Sequence, residues 1–122
     1  MPDEPPGDTR IEEVLAGIAA TGGHIAVATS GNQFIGTYAL YVAPGLARSG
    51  RPFAVIENVV VHPDFHRRGV GRALMEHAVS EAKRLGCYKV MLQVSDSRTG
   101  NHSFYQACGF HQTKLGFEWR SR

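Results

Sequence analysis

Residues 53 to 95 constrain the fold more than any other stretch of the chain. FAVIENVVV (Phe53–Val61) is almost continuously apolar and rich in β-branched residues, the pattern of a strand buried on both faces. From Val70 to Leu85 the apolar spacing changes: Leu74, Ala78, Ala82 and Leu85 fall on one helical stripe, backed by Met75 and Val79, and Gly86 is placed to stop that helix. Tyr88–Ser95 is β-rich again. A strand, a helix and a strand in this order return to one sheet through a right-handed crossover, so the two strands are predicted to be parallel.

The flanking segments add to this unit. Ile11, Val14, Leu15 and Ile18 predict a short helix over residues 10–20, stopped by Gly22 and Gly23. His24–Thr29 and Phe34–Val42 read as strands joined by SGNQ, a hairpin signal. APGLARSGRP (43–52) reads as a loop. DSRTG (96–100) reads as a turn, His102–Cys108 as a short helix ended by Gly109, and His111–Trp119 as a last strand. The whole is a mixed α/β sandwich with one core, which is what 122 residues can support. Residues 1–9, with three prolines and three acids, read as a flexible tail, leaving 10–122 as the single domain.

The strand at 53–61 runs into HPDFHRRGVGRAL, with three arginines and two glycines within residues 67–72. Clustered arginines repel one another and glycines lose entropy on folding, so both call for an anion close to the backbone. A helix N-terminus presents unbonded N–H groups and about half a positive charge, and Gly69 and Gly71 let an anion approach it. Arg67, Arg68 and Arg72 add charge at the rim. No Lys-Ser or Lys-Thr follows, which excludes a Walker loop, and Leu74 stands where a dinucleotide fingerprint needs its third glycine. From the loop alone, a solvated basic turn capping a helix remains the other reading. Net charge is only +2, too weak for nucleic acid, yet five of the 11 acids precede residue 14. The rest of the chain is therefore basic, which favours a compact anionic ligand.

Other classes are excluded more simply. No apolar run reaches the ~18 residues of a membrane span, and the polar, acidic first residues are unlike a signal peptide, which predicts a cytoplasmic protein. Cys87 and Cys108 make no disulfide framework and read as small packing residues. His62 and His66 are four apart, but Pro63 keeps them off a helix, so no metal site is expected.

VVVHPDFHRRGVGRAL resembles the signature of the GCN5-related N-acetyltransferase (GNAT) superfamily, an apolar strand followed by [Q/R]-x-x-G-x-[G/A] opening a helix. A second family element, N-x-x-F-Y-x-x-x-G-F, is matched by Asn101, Phe104, Tyr105, Gly109 and Phe110. The resemblance covers about residues 24 to 119. It implies a mixed central sheet flanked by helices, here lacking the family's usual first strand and helix, and acetyl-CoA as co-substrate. The signature's Gln or Arg is His66 in this chain.

By that resemblance, N–H groups of Arg67, Arg68, Gly69, Val70, Gly71 and Arg72 hold the pyrophosphate, and Val59, Val60 and Val61 hold the peptide-like pantetheine arm as a neighbouring strand would. Asn101, Phe104 and Tyr105 complete the cofactor residues. Tyr105 matches the tyrosine that protonates the departing thiolate. Glu57, the only acid between Glu13 and Asp64, interrupts an apolar strand, where a carboxylate is costly unless paired or used. It can take a proton from the substrate ammonium, bind that ammonium, or pair with an arginine. His102 is a minor alternative base. IENVVV and GCYKVML are similar to glucosamine-phosphate N-acetyltransferases, whose active unit is a homodimer. The leading expectation is therefore an N-acetyltransferase acting on a small amine, such as an amino-sugar phosphate. A protein N-acetyltransferase and a non-catalytic acyl-CoA-binding module stay open as alternatives.

Overall fold

In the computed structural model, which describes residues 4–94 and 99–121, the hairpin and the crossover unit build one sheet. Helix α1 (Asp8–Ala20) leads through Gly22 and Gly23 into β1 (His24–Ser30), and a two-residue turn joins β1 to β2 (Gln33–Ala43). A four-residue turn, α2 (Ala47–Gly50), precedes β3 (Phe53–Val61); Arg48 and Ser49 adopt left-handed φ in it, so it is no true helix. Helix α3 (Val70–Arg84) crosses over to β4 (Val90–Met91). Strand order is β1-β2-β3-β4, antiparallel except for the β3–β4 pair, which is parallel as the crossover requires.

The core lies between this sheet and α3. Leu74, Met75, Ala78 and Ala82 form the buried stripe of the helix and meet Tyr38, Leu40, Ala54 and Ile56. Burying a residue such as Leu40 or Met75 stabilises the fold by about 1.5–3 kcal/mol. Gly86 ends the helix at φ +81, with its N–H donating to the Lys83 carbonyl and that of Cys87 to the Ala82 carbonyl, a Schellman closure. At Gly36 a Cβ would meet Leu74 at 3.0 Å and Val70 at 3.1 Å, so the missing side chain is what lets the N-terminal turn of α3 approach the sheet.

The chain clusters into two units, Met1–Met91 and Leu92–Arg122. The second contains α4 (Thr99–Ala107), which begins before the predicted His102. Residues 96–98 of the predicted turn lie outside the described residues, and Thr99 and Gly100 open the helix instead.

Four expectations are corrected. β3 is not buried on both faces: Ala54 and Ile56 are, but Glu57 and Asn58 are exposed and Val60 is 59% exposed. β4 covers only two residues of the predicted strand 88–95, whose residue 95 lies outside the described residues. The predicted strand 111–119 forms neither helix nor strand. A period-2 pattern gives a segment a suitable face, but a strand exists only where an edge pairs its backbone, and among the described residues none pairs this one. Cys87 is buried as expected, whereas Cys108 is only half-buried.

Candidate functional site

The basic loop starts where β3 ends. Pro63–Phe65 makes one 3-10 turn, and the chain then takes left-handed φ at Arg67 (+62) and Gly69 (+81). For an arginine that conformation costs roughly 1–2 kcal/mol, a strain typical of functional loops. Gly69 is the N-cap of α3 and offers no side-chain cap. The N–H of Ala73 donates to the Gly69 carbonyl at 3.0 Å, so those of Val70, Gly71 and Arg72 have no intrahelical acceptor. They form the positive end of a 15-residue helix. Arg72 pairs with Glu76 along the helix at 3.1 Å, and Arg68 stacks over the Phe65 ring at 5.3 Å. Neither Arg67 nor Arg68 meets a carboxylate among the described residues. Two cations and three unbonded N–H groups thus converge on one helix end.

Among the described residues, no strand pairs with the second half of β3 on the side away from β2. β4 pairs with β3 only at Ala54↔Val90 and Val55↔Met91, and the ladder stops there among the described residues. Between Ala39↔Glu57 and Thr37↔Val60 the register slips: Asn58 and Val59 together face Tyr38, with Asn58 at φ +56. This is a β-bulge, with the extra residue in the left-handed region. Beyond it the His62 N–H donates to the Ile35 carbonyl at 2.8 Å. Antiparallel alternation then aims Val60 at β2 and aims the N–H and C=O of Val59 and Val61 at the open edge. A peptide-like ligand arm can add to such an edge as an extra strand. Glu57 lies just before the bulge, exposed, with no ion pair or side-chain hydrogen bond among the described residues. It is therefore not the buried carboxylate that the sequence suggested.

In the second unit, Asn101, Phe104 and Tyr105 occupy positions i, i+3 and i+4 of α4 and share a face. Tyr105 is half-buried, with Phe104 and Phe110 edge-on at 5.0 and 6.2 Å. Burial, and secondarily Cys108, pushes its phenol above the ordinary value of 10.0. At neutral pH it is a proton donor and not a base. The Phe110 N–H donates to the Tyr105 carbonyl at 3.0 Å, and Gly109 at φ +93 closes the helix. Beside it, His102 Nε2 is buried without a hydrogen-bond partner.

Sequence reasoning missed three features. The Asn58 bulge had a signal, since Asn is one of few residues that tolerate left-handed φ and here it interrupts an apolar run. His66 donates from Nε2 to the Val61 carbonyl at 2.9 Å. The fully buried Tyr38 hydroxyl lies 2.8 Å from His24 Nε2 and 2.7 Å from His77 Nδ1, linking β1, β2 and α3. Beside this trio, Ala26, Ile35, Val70, Leu74, Arg68 and His77 help to line a cavity of about 430 Å3. No cluster of three His, Cys, Asp or Glu that could hold a metal exists among the described residues. No described helix is long and apolar enough to cross a membrane.

Residues 2–110 match the family model of the acetyltransferase (GNAT) family. Over 89 residues the chain is 35% identical to glucosamine 6-phosphate N-acetyltransferase of Schizosaccharomyces pombe, covering 73% of this chain and 76% of that one. Over 78 residues it is 36% identical to the enzyme of that name from Trypanosoma brucei brucei, covering 64% of this chain but only about half, 51%, of the relative. A solved structure from Agrobacterium tumefaciens str. C58, assigned as an acetyltransferase, superposes with a TM-score of 0.85 at 38% identity, covering 98% of this chain and 83% of that one.

Proposed function

The chain belongs to the acetyltransferase (GNAT) family, and from that membership we propose that it transfers the acetyl group of acetyl-CoA to the primary amine of a small molecule. The observation that carries the proposal is the continuity of an open strand edge with an uncapped, basic helix N-terminus. Acetyl-CoA combines a peptide-like arm with a pyrophosphate, and those are the two things this edge and this loop are built to take. The residues present fit it. Val59 and Val61 would bind the arm, and Val70, Gly71 and Arg72 would donate N–H groups to phosphate oxygens, with Arg67 and Arg68 as countercharges.

Acetyl-CoA supplies an activated thioester, and the protein supplies orientation, charge and protons. An outward N–H of the open edge would polarise the acetyl carbonyl as an oxyanion donor. Glu57, exposed and unpaired, would bind the incoming ammonium or take its proton. Tyr105, held protonated by burial, would return a proton to the departing thiolate. The relatives' name favours an amino-sugar phosphate as acceptor class.

We assign the active unit as a homodimer joined through residues 111–121. That segment leaves Leu115, Phe117 and Trp119 at 79, 97 and 86% exposure, apolar surface that a second copy would cover. Sedimentation should show a dimer that Phe117→Ser with Trp119→Ser weakens; a monomeric wild type would overturn this assignment. Thiol release from acetyl-CoA across a panel of amines, glucosamine 6-phosphate among them, tests the activity. Release with one amine class is expected. Binding of acetyl-CoA without transfer to any amine would replace the enzyme with a binding module.

A further inference from the structure

The His66 ring lies at the joint between the open edge and the anion loop. The Val61 carbonyl points away from β2, and His66 Nε2 meets it at 2.9 Å. A carbonyl can only accept, so Nε2 must carry the hydrogen, which fixes the tautomer. The excursion between the two residues is itself tied down. The Asp64 N–H donates to His62 Nδ1 at 3.1 Å, that of Phe65 to the His62 carbonyl at 2.9 Å, and that of His66 to the Pro63 carbonyl at 3.3 Å. His66 keeps an ordinary extended backbone (φ −65, ψ 146), and Arg67 immediately after it turns left-handed. Anchoring the ring therefore anchors the first residue of the strained loop.

We infer that His66 is a positioning residue: by capping the Val61 carbonyl it ends the open edge and fixes where a peptide-like arm must stop and its phosphates begin. With that acceptor occupied, the last backbone group the edge can offer a ligand is the Val61 N–H. The next donors along the chain are the loop's own, a few residues on. This role rests on the acetyl-CoA reading for its ligand, but the contact itself does not. It also gives a physical sense to histidine at the signature's Gln/Arg position, since all three side chains carry an N–H donor at their far end. The competing role is direct: an imidazolium whose charge meets the phosphates.

The two roles respond differently to substitution: glutamine keeps an N–H donor but carries no charge, so a positioning His66 can be replaced by Gln, whereas a charge contact cannot. The test compares wild type, His66→Ala and His66→Gln by calorimetric Kd for acetyl-CoA, by kcat and KM, and by 15N spectra of the ligand-free protein. His66→Ala should raise Kd about tenfold, the scale of one hydrogen bond, with the loss in KM and not in kcat. His66→Gln should recover to within a few-fold, and both variants should melt close to wild type because the ring is exposed. An unchanged Kd in His66→Ala or no recovery by Gln overturns the inference. Should wild type bind no acetyl-CoA, the acetyl-transfer reading falls separately. The 15N spectra then decide on their own: Nδ1–H at neutral pH overturns the positioning role, and Nε2–H sustains it.

Discussion

Tyr38 offers the most direct check on the core. Its side chain is fully buried, and its hydroxyl bridges His24 and His77, so Tyr38→Phe removes two hydrogen bonds and almost no packing. At a net 0.5–1.5 kcal/mol for each bond, the variant should lose about 1–3 kcal/mol at pH 7.5, several degrees of melting temperature. Burial, with Glu81 adding to it, pushes the phenol from 10.0 up to about 12. Because the folded value lies above the unfolded one, the associated stability is complete below pH 10 and is lost as pH rises from there through about 12. A shift of that size corresponds to about 2.7 kcal/mol. Urea unfolding at pH 8, 10 and 11.5 should therefore show wild type losing its advantage over Tyr38→Phe, while absorbance at 295 nm shows a late-ionising phenol that Tyr38→Phe removes. The acid side has the opposite sign. Burial holds His24 below 6.5, so its contribution is complete above that pH and is lost as pH falls through the lower folded value. Four phenols titrating together near 10, or a variant with the wild-type alkaline loss, would refute the reasoning.

Two further substitutions separate chemistry from binding. Tyr105→Phe should lower kcat about 100- to 10,000-fold, the usual worth of a general acid, with tenfold as the floor if water substitutes and with acetyl-CoA affinity unchanged; wild-type turnover would remove Tyr105 from the mechanism. Gly71→Glu puts a carboxylate among the unbonded N–H groups at the start of α3 and should weaken acetyl-CoA binding at least tenfold, by roughly 1.5–3 kcal/mol for each charge-assisted bond lost. Unaltered affinity in calorimetry would mean that the loop is only a turn.

The parts of this molecule that were legible in the sequence are those specified locally. The switch from an apolar run to helical spacing at Val70, with Gly86 as the stop, gave the crossover, and the arginine-glycine loop lay where that switch occurs. What the pattern left open was partnership. LGFEW has the alternation of a strand, but alternation names a face and not a neighbour, so nothing in residues 111–119 says whether an edge awaits them. Apolar continuity likewise placed Glu57 in a buried strand although β4 pairs only the first residues of β3. The Tyr38 trio joins residues 14 and 39 positions apart, and local spacing carries no trace of that.

Asn58 shows how much one such residue decides. Before it, Ala54 and Ile56 face α3, and the backbone of Glu57 faces β2. Continued without a bulge, the same alternation would aim the Val61 carbonyl at β2, beyond reach of His66, and would turn Val60 toward α3. The extra residue reverses both parities. Val61 then lies opposite Gly36, on the face where Leu74 and Val70 pack, while Val60 turns out to its observed exposure. The N–H groups of Val59 and Val61 swing to the open edge in the same step. A β-branched residue could not hold φ +56 without strain, whereas Asn can. The polar residue that interrupts an apolar strand is thus the one that turns the backbone of its second half to the edge where the proposed cofactor arm would add.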